Sequence, residues 1–81
     1  MTIGFVLIGS KPGSERNVYA ELTRITEITE LHPVFGEYDI IARLEAPDPN
    51  ALMPIVEKIR KVDGVIDTKT LPGISCYGKK A

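Results

Sequence analysis

A chain of 81 residues can enclose one hydrophobic core, so its function must be housed in a single domain that spans 1–81. Acidic and basic residues nearly cancel, to a formal net charge of -1, which excludes the strongly basic surface that attracts nucleic acid. The single cysteine, Cys76, cannot form an internal disulfide, and the opening apolar run is too short for a signal peptide or a membrane span. We therefore expect a cytoplasmic protein with no membrane attachment.

The first predicted elements are a strand and a helix. Residues Ile3–Ile8 are mostly β-branched, aromatic or aliphatic, and both alternating sets of side chains are apolar, which is typical of a strand buried on two faces. Ser14 can cap a helix, and Glu15 suits the positive end of the helix dipole. Apolar residues then recur at intervals of four and three, at Val18, Leu22 and Ile25. These signals predict a helix over about residues 14 to 26.

A β-hairpin is predicted next. The stretch Ile28–Phe35 is rich in strand-forming residues, and Pro33, which cannot donate to a sheet ladder, indicates an edge or irregular position. In Ile40–Glu45 apolar and polar positions alternate, which is typical of a second strand. The tight turn Gly36–Asp39 would join the two strands.

The second helix has an apolar stripe and two candidate starting points. The stripe consists of Leu52, Ile55, Val56, Ile59 and Val62. A cap at Asp48 puts Pro54 beyond the first turn, where proline removes a helical hydrogen bond. A cap at Asn50 puts Pro54 near the free N–H groups of that turn. We expect a late or irregular start and an end at Asp63–Gly64.

The last predicted strand, Val65–Thr70, completes the fold. It stops before Pro72–Gly73, with a short continuation over Ile74–Tyr77 and a frayed tail over 78–81. The order strand, helix, strand, strand, helix, strand predicts an α+β, ferredoxin-like βαββαβ sandwich, a four-stranded antiparallel sheet with two helices on one face. The other face of the first strand is still apolar, so we expect a second copy to cover it in a homodimer.

Residues for catalysis and metal binding are scarce. His32 is the only histidine and Cys76 the only cysteine, and the sequence contains no Gly-rich phosphate loop or nucleophile elbow. A His32–Cys76 dyad lacks an evident third orienting group, so a structural cysteine and a strand-borne histidine are the simpler interpretation. Glu37 and Asp39 could pair for acid–base chemistry, but both are ordinary turn residues. We expect no enzyme activity, no cofactor and no metal.

The predicted binding site is centred on the turn Gly36–Asp39. A glycine lets a ligand approach the backbone closely, and the N–H groups of such a turn can bind a carboxylate. Asp39 can pair with an ammonium group, while Tyr38 offers an aromatic wall and a hydroxyl. With two threonines from one face of the last strand, the predicted ligand-binding residues are Gly36, Glu37, Tyr38, Asp39, Thr68 and Thr70. These residue types are also common in ordinary hairpins and strands, and that interpretation stays open.

Three stretches resemble the effector domain of the Lrp/AsnC, or feast/famine, transcription regulators. They are Phe5–Ile8 followed by Lys11–Gly13, the segment Leu31–Asp39 that ends in glycine, two variable residues and aspartate, and Gly64–Thr70. The resemblance implies a RAM (regulation of amino acid metabolism) domain, a ferredoxin-like homodimer with facing sheets that assembles into rings and binds free amino acids between dimers. The ligand contacts that the resemblance implies are Gly36, Tyr38, Asp39, Thr68 and Thr70.

The full regulators carry a helix-turn-helix domain ahead of this domain, whereas the first strand here begins at Thr2. We therefore expect a stand-alone effector domain without direct nucleic-acid binding, which acts on transcription through mixed assembly with a full-length Lrp/AsnC-type regulator. The leading hypothesis is an amino-acid-binding regulatory module that self-assembles. The alternative is a structural or interaction protein that binds another polypeptide through its sheet face without a small-molecule ligand. An RNA-binding sheet ranks below both, because strand one offers only Phe5 as an aromatic and strand three only Tyr38 at its start. A small enzyme also ranks below both.

Overall fold

The computed structural model describes residues 2–74, in which strands and helices follow one another in the predicted order. The strands are β1 (Thr2–Ser10), β2 (Ile28–Pro33), β3 (Ile40–Ala46) and β4 (Val65–Ile74). The helices are α1 (Glu15–Leu22) and α2 (Leu52–Arg60), and a short 3-10 turn, Pro49–Ala51, precedes α2. The strands form one antiparallel sheet in the order β2-β3-β1-β4, which confirms the predicted α+β, ferredoxin-like fold.

The hydrophobic core lies between the helices and one side of the sheet, which we call the helix face. Side chains of α1 and α2 pack there against alternate residues of β1 and β3. The completely buried members include Val6, Ile8, Val18, Leu22, Leu44, Val56 and Ile59. Helix α2 comes close to the sheet at Gly4, where a β-carbon would lie 3.3 Å from both terminal methyl groups of Leu52.

The opposite side of the sheet, the open face, is not covered by any helix of the described chain. Leu7 pairs with Ile41 of β3, and Phe5 pairs with Leu71 of β4. Cross-strand partners point to the same side, so these apolar side chains form one cluster. We call it the open-face patch, and its members are Phe5, Leu7, Ile41 and Leu71. Leu71 is 39% exposed and the other three are half-buried, so the expectation that β1 is buried on both faces is not met within one chain.

Helix α1 ends at Leu22, earlier than the predicted boundary near residue 26. After Leu22 the chain forms a tighter turn, in which the Ile25 N–H donates to the Leu22 carbonyl, three residues back, at 3.1 Å. The Thr23 hydroxyl also donates to the Ala20 carbonyl, at 2.6 Å. Ile25 still packs against the core, so the apolar stripe continues although the α-helix does not. Ser14 is the N-cap residue, but its side chain makes no capping hydrogen bond.

The connection between β2 and β3 is a wider loop than the tight turn that the sequence predicted. Strand β2 ends at Pro33 rather than Phe35, since proline brings no N–H with which to extend the ladder. The loop spans 34–39 and is closed by a hydrogen bond of 2.9 Å from the Val34 N–H to the Asp39 carbonyl. We call this segment the effector loop.

The irregular start predicted for the second helix is confirmed. The Asp48 side chain accepts a hydrogen bond of 3.1 Å from the Ala51 N–H and so caps the 3-10 turn rather than α2. Because α2 begins at Leu52, Pro54 falls in its first turn, where the N–H groups have no partner within the helix. The helix ends at Arg60, ahead of the predicted Asp63–Gly64 boundary.

Strand β4 continues through Pro72 and Gly73, where the sequence predicted an interruption. The register against β1 shifts between the pairs Phe5–Leu71 and Ile3–Ile74, so β4 carries an irregularity there. A β-bulge of this kind tolerates a proline, because a bulged residue need not donate to the ladder. The remainder of the predicted continuation, with Cys76 and the tail over 78–81, lies outside the described residues.

Candidate functional site

Asp39 closes the effector loop and anchors it to β1. Its N–H donates to the Ile8 carbonyl at 2.9 Å, and its carboxylate oxygen Oδ2 accepts hydrogen bonds from Ser10, from the N–H at 2.7 Å and from the hydroxyl at 2.9 Å. Ser10 is the buried polar residue of the core region, only 6% exposed. The other oxygen, Oδ1, has no hydrogen-bond partner among residues 2–74. One oxygen of this carboxylate therefore has a structural role, and the other makes no hydrogen bond within the described chain.

Tyr38 lies against β1 on the open face. A β-carbon at Gly9 would lie 3.8 Å from Cδ1 of Tyr38 and 3.6 Å from Cβ of Asp67, so both side chains pack beside this glycine. Partial burial raises the pKa of the Tyr38 hydroxyl above its ordinary value, and the negative charge of Asp67 raises it further. The sequence pattern gave no reason to associate Gly9 and Asp67 with the site, because both are remote from the loop in the chain.

The tip of the effector loop is open to solvent. Gly36 has a φ of 120°, which side-chain-bearing residues rarely adopt, and no atom lies within 4 Å of the position that its β-carbon would occupy. Glu37 is exposed, and Phe35 is as exposed as an aromatic side chain can be. The backbone around Gly36 is therefore accessible to a ligand or to another subunit.

Thr68 and Thr70 do not join the effector loop within one chain. Thr68 pairs with Ile8 and Thr70 pairs with Val6, so both threonines point to the helix face. The Thr68 hydroxyl accepts a hydrogen bond of 3.2 Å from Nε of Arg60 on α2. Strand β1 lies between these threonines and β3, a separation of roughly 10 Å across two strand spacings. The predicted site residues thus form two groups in one protomer.

A groove runs between α1 and the start of β3, and we call it the α1 groove. Its volume is about 690 Å³, and its lining residues are Glu15, Arg16, Tyr19, Ala20, Pro33, Asp39 and Ile40. Asp39 is the predicted site residue in this lining. Arg16 brings a positive charge to the same groove, since it lies on the same side of α1 as Tyr19 and Ala20, which follow it by three and four residues.

A second depression, of about 550 Å³, lies at the other end of the sheet and contains none of the predicted site residues. Glu27 lines it and pairs with Lys58 of α2, with Nζ 3.2 Å from Oε2. A backbone hydrogen bond at Glu27, with help from Lys58, holds the pKa of this carboxyl below its usual range. This pair ties the entry of β2 to α2, so its role is structural.

The ion pair of Glu27 gives a pH-dependent expectation. The pKa of Glu27 is lower in the folded state than in the unfolded state, where it is about 4.3. The ionised carboxylate therefore stabilises the fold above the unfolded-state pKa, and this stabilisation is lost as the pH falls through the folded-state pKa. Glu27→Gln should therefore lower the melting temperature at pH 7, and the difference should be smaller at about pH 3, because the stabilisation is lost as Glu27 becomes protonated. Thermal melts of both proteins at the two pH values check this, and an equal difference at both values would contradict it.

Histidine and acidic residues do not assemble into a metal site in the described chain. Nε2 of His32 lies 2.9 Å from Oε1 of Glu30, and this contact lowers the pKa of the Glu30 carboxyl. Among residues 2–74 no group of three or more potential metal ligands comes together. None of the helices in this part of the chain is long and apolar enough to cross a membrane.

Comparison with known families gives one match over nearly the whole chain. The family described as the Lrp/AsnC ligand binding domain matches residues 3–77. An uncharacterized HTH-type transcriptional regulator from Pyrococcus furiosus is 35% identical over 74 residues, which are 86% of this chain and 49% of the regulator. A homocitrate synthase from Sulfurisphaera tokodaii is 43% identical over 61 residues, 69% of this chain and 13% of the enzyme. The chain thus spans half or less of the length of these curated relatives.

Solved structures give the same fold. The crystal structure of FFRP-DM1 superposes with a TM-score of 0.83 at 36% identity and covers 91% of this chain and 100% of its own. A feast or famine regulatory protein from M. tuberculosis, complexed with L-methionine, superposes with a TM-score of 0.81 at 21% identity and covers 98% of this chain and 54% of its own. At that identity the second likeness supports the fold alone.

Proposed function

The chain belongs to the family of Lrp/AsnC ligand-binding domains, and on that premise we propose that it is a self-assembling regulatory module that binds a free amino acid. A domain shared by transcription regulators and by an enzyme is suited to ligand sensing, which both can use, rather than to catalysis. The M. tuberculosis protein, which shares this fold, was solved in complex with L-methionine, so an amino acid is a ligand that this fold can hold.

The observation that carries this proposal is the carboxylate of Asp39, of which only Oδ2 accepts hydrogen bonds from the described chain. Ser10 fixes Oδ2 with two hydrogen bonds, so the carboxylate is oriented in advance and Oδ1 can accept a hydrogen bond from an ammonium group. The accessible backbone at Gly36 offers N–H groups for a carboxylate. A free amino acid carries both of these charges on one carbon atom, so the loop suits it chemically.

The open-face patch supports self-assembly. Phe5, Leu7, Ile41 and Leu71 are apolar, adjacent and uncovered in a single chain, and an isologous dimer would bury the patch of each copy against the other. Further association of dimers into a ring would bring the effector loop of one dimer close to Thr68 and Thr70 of another. That arrangement accounts for the separation of the two groups of predicted site residues within one chain.

Assembly and partners can be tested together by native mass spectrometry. If the ligand binds between dimers, a saturating amino acid should shift the distribution of assembly masses, because it stabilises the state that completes the site. A full-length Lrp/AsnC-type regulator, co-expressed with this chain, should appear in mixed assemblies. Unchanged masses with bound ligand would contradict a site between subunits.

Substitution of Asp39 tests the binding role directly. Asp39→Asn keeps an amide oxygen that can accept from Ser10 but removes the charge, so the loop should remain folded while affinity for the amino acid falls about 10- to 100-fold. Asp39→Ala also removes the acceptor and should cost roughly 1 to 3 kcal/mol of stability in addition. Isothermal titration calorimetry with the common amino acids measures the affinity, and thermal melts measure the stability.

The matched control is Asp63→Asn, which removes the same charge at an exposed position outside the site. Its affinity should equal that of the unsubstituted protein. If Asp39→Asn binds as tightly as the control, Asp39 does not hold the ammonium group. If a folded, assembled protein binds none of the common amino acids, the proposed function is wrong.

A further inference from the structure

The outer edge of β4 has no partner strand among residues 2–74, because β4 is the last strand in the sheet order β2-β3-β1-β4. We propose that this edge pairs antiparallel with the β4 edge of a second copy, in a register centred on Thr68, so that Asp67 of each copy meets Lys69 of the other. Two sheets would then join into one sheet of eight strands. The inference goes beyond the proposed function, because this contact needs neither an amino acid nor the open-face patch.

The edge is open to solvent and regular. Ile66 is 66% exposed, and a depression of about 310 Å³ lies beside it, lined by Arg60 and residues 65–68. From Asp67 to Leu71 the strand pairs with β1 without a register shift. The backbone groups on its outer side therefore have the spacing that another strand can match.

Symmetry restricts the register of such a contact. A two-fold axis normal to the sheet keeps the open faces of the two copies on the same side, so residues that meet across the axis must point to the same face. Asp67 and Lys69 pair with Gly9 and Leu7 of β1 and point to the open face, whereas Thr68 points to the helix face. The axis must therefore pass through a residue of β4 and cannot pass between two residues.

Charge selects Thr68 as that residue. With Thr68 at the centre, Asp67 of each copy lies opposite Lys69 of the other, which gives two ion pairs. A centre at Asp67 or Lys69 would bring like charges together. A centre at Thr70 would leave both charges without a partner and would put Pro72, which has no N–H, inside the paired stretch. The strand is therefore self-complementary in one register.

Lys69 has no partner within its own copy. Its ammonium group makes no hydrogen bond or ion pair with any of residues 2–74. A lysine on an edge strand ordinarily discourages pairing with another chain, but in this register Asp67 of the second copy offsets its charge. Asp67 packs beside Gly9 together with Tyr38, so the contact would place a cation of one copy next to the effector loop of the other.

Disulfide trapping on the full chain, without added amino acid, tests the register. Thr68→Cys in a Cys76→Ser background should give cross-linked dimers under mild oxidation, because the two introduced thiols face each other across β-carbons about 5 Å apart. Thr70→Cys in the same background is the matched control. It points to the same face, but it would meet Ile66 of the second copy and lie roughly 13 Å from its own counterpart, so it should not cross-link.

Charge reversal tests the ion pairs with the same measurement. Adding Lys69→Asp to Thr68→Cys turns both ion pairs into contacts between like charges, so cross-linking should slow at least about tenfold. Adding Asp67→Lys as well restores opposite charges in the same register and the original net charge, so the rate should recover. If it does not recover in a protein that thermal melts show to be folded, the ion pairs do not set the register and the inference is overturned.

The outcomes are distinct from those of the proposed function. Thr68 points to the helix face, so a disulfide at this position cannot form between two open faces that pack against each other. Cross-linking at Thr68→Cys but not at Thr70→Cys supports the edge contact even if no amino acid binds. Equal cross-linking of the two folded variants, or none in either, overturns it and leaves the edge to another polypeptide or to solvent, whether or not an amino acid binds.

Discussion

Replacing Leu7 by lysine is expected to separate the proposed dimer into single chains of 8.9 kDa. Leu7 lies in the open-face patch, paired with Ile41 on one side and Lys69 on the other. In an isologous dimer the new charge is buried and comes close to its copy, so it is opposed by both desolvation and repulsion. We expect the dissociation constant to rise roughly 100-fold or more, since like charges brought together cost several kcal/mol.

Sedimentation velocity over a range of concentrations measures this change. The matched control is Met53→Lys, which places the same charge at an apolar side chain that is 51% exposed on α2, away from the open face. The control should keep the mass of the unsubstituted protein. If Leu7→Lys does so as well while remaining folded, the open-face patch is not the dimer interface.

Gly64→Ala is expected to destabilise the domain more than the same change at Gly4, Gly9, Gly13 or Gly36. Gly64 has a φ of 100°, and a β-carbon there would lie 2.8 Å from Cγ2 of Val18 and 2.9 Å from Cβ of Ser14. Backbone strain and the clash with α1 add together, because neither Val18 in the core nor the turn at Ser14 can withdraw freely. We expect the free energy of unfolding to fall by about 3 kcal/mol, measured by urea denaturation.

Gly13→Ala separates the two causes. Gly13 also has a positive φ, 89°, but no atom lies within 4 Å of its β-carbon position. This variant should therefore show the backbone strain alone, roughly 1 kcal/mol. Equal losses in the two variants would mean that the contact of Gly64 with α1 contributes nothing to stability.

The order and type of the elements were predictable because they depend on local periodicity. A continuous apolar run marked β1, alternation of apolar and polar residues marked β3, and the stripe from Leu52 to Ile59 marked α2. The errors lie at element ends, where tertiary contacts compete with local preference. Strand β4 runs through Pro72 because β1 continues to pair beside it, and the sequence of β4 alone contains no sign of that partner.

The candidate site was predictable only in part, for a related reason. Gly36 and Asp39 are three residues apart, so the turn pattern in the sequence was enough to place them in one loop. The contact between Asp39 and Ser10 joins residues 29 positions apart, which no local pattern reports. Likewise, alternation predicts that Thr68 and Thr70 share a face, but which face depends on the register of β4 against β1.

Tyr38 and Asp39 are consecutive residues whose side chains go to opposite sides of the sheet, one to Gly9 on the open face and the other to Ser10. A single peptide unit would therefore connect a ligand held by Asp39, as proposed, with an aromatic ring at the margin of the proposed dimer surface. Coupling between ligand binding and subunit association would need only a small rotation of that peptide unit. The hydrophobic core would not have to rearrange. The distance between the two sites would then equal the thickness of the sheet, and no chain of intervening side chains would be needed to couple them.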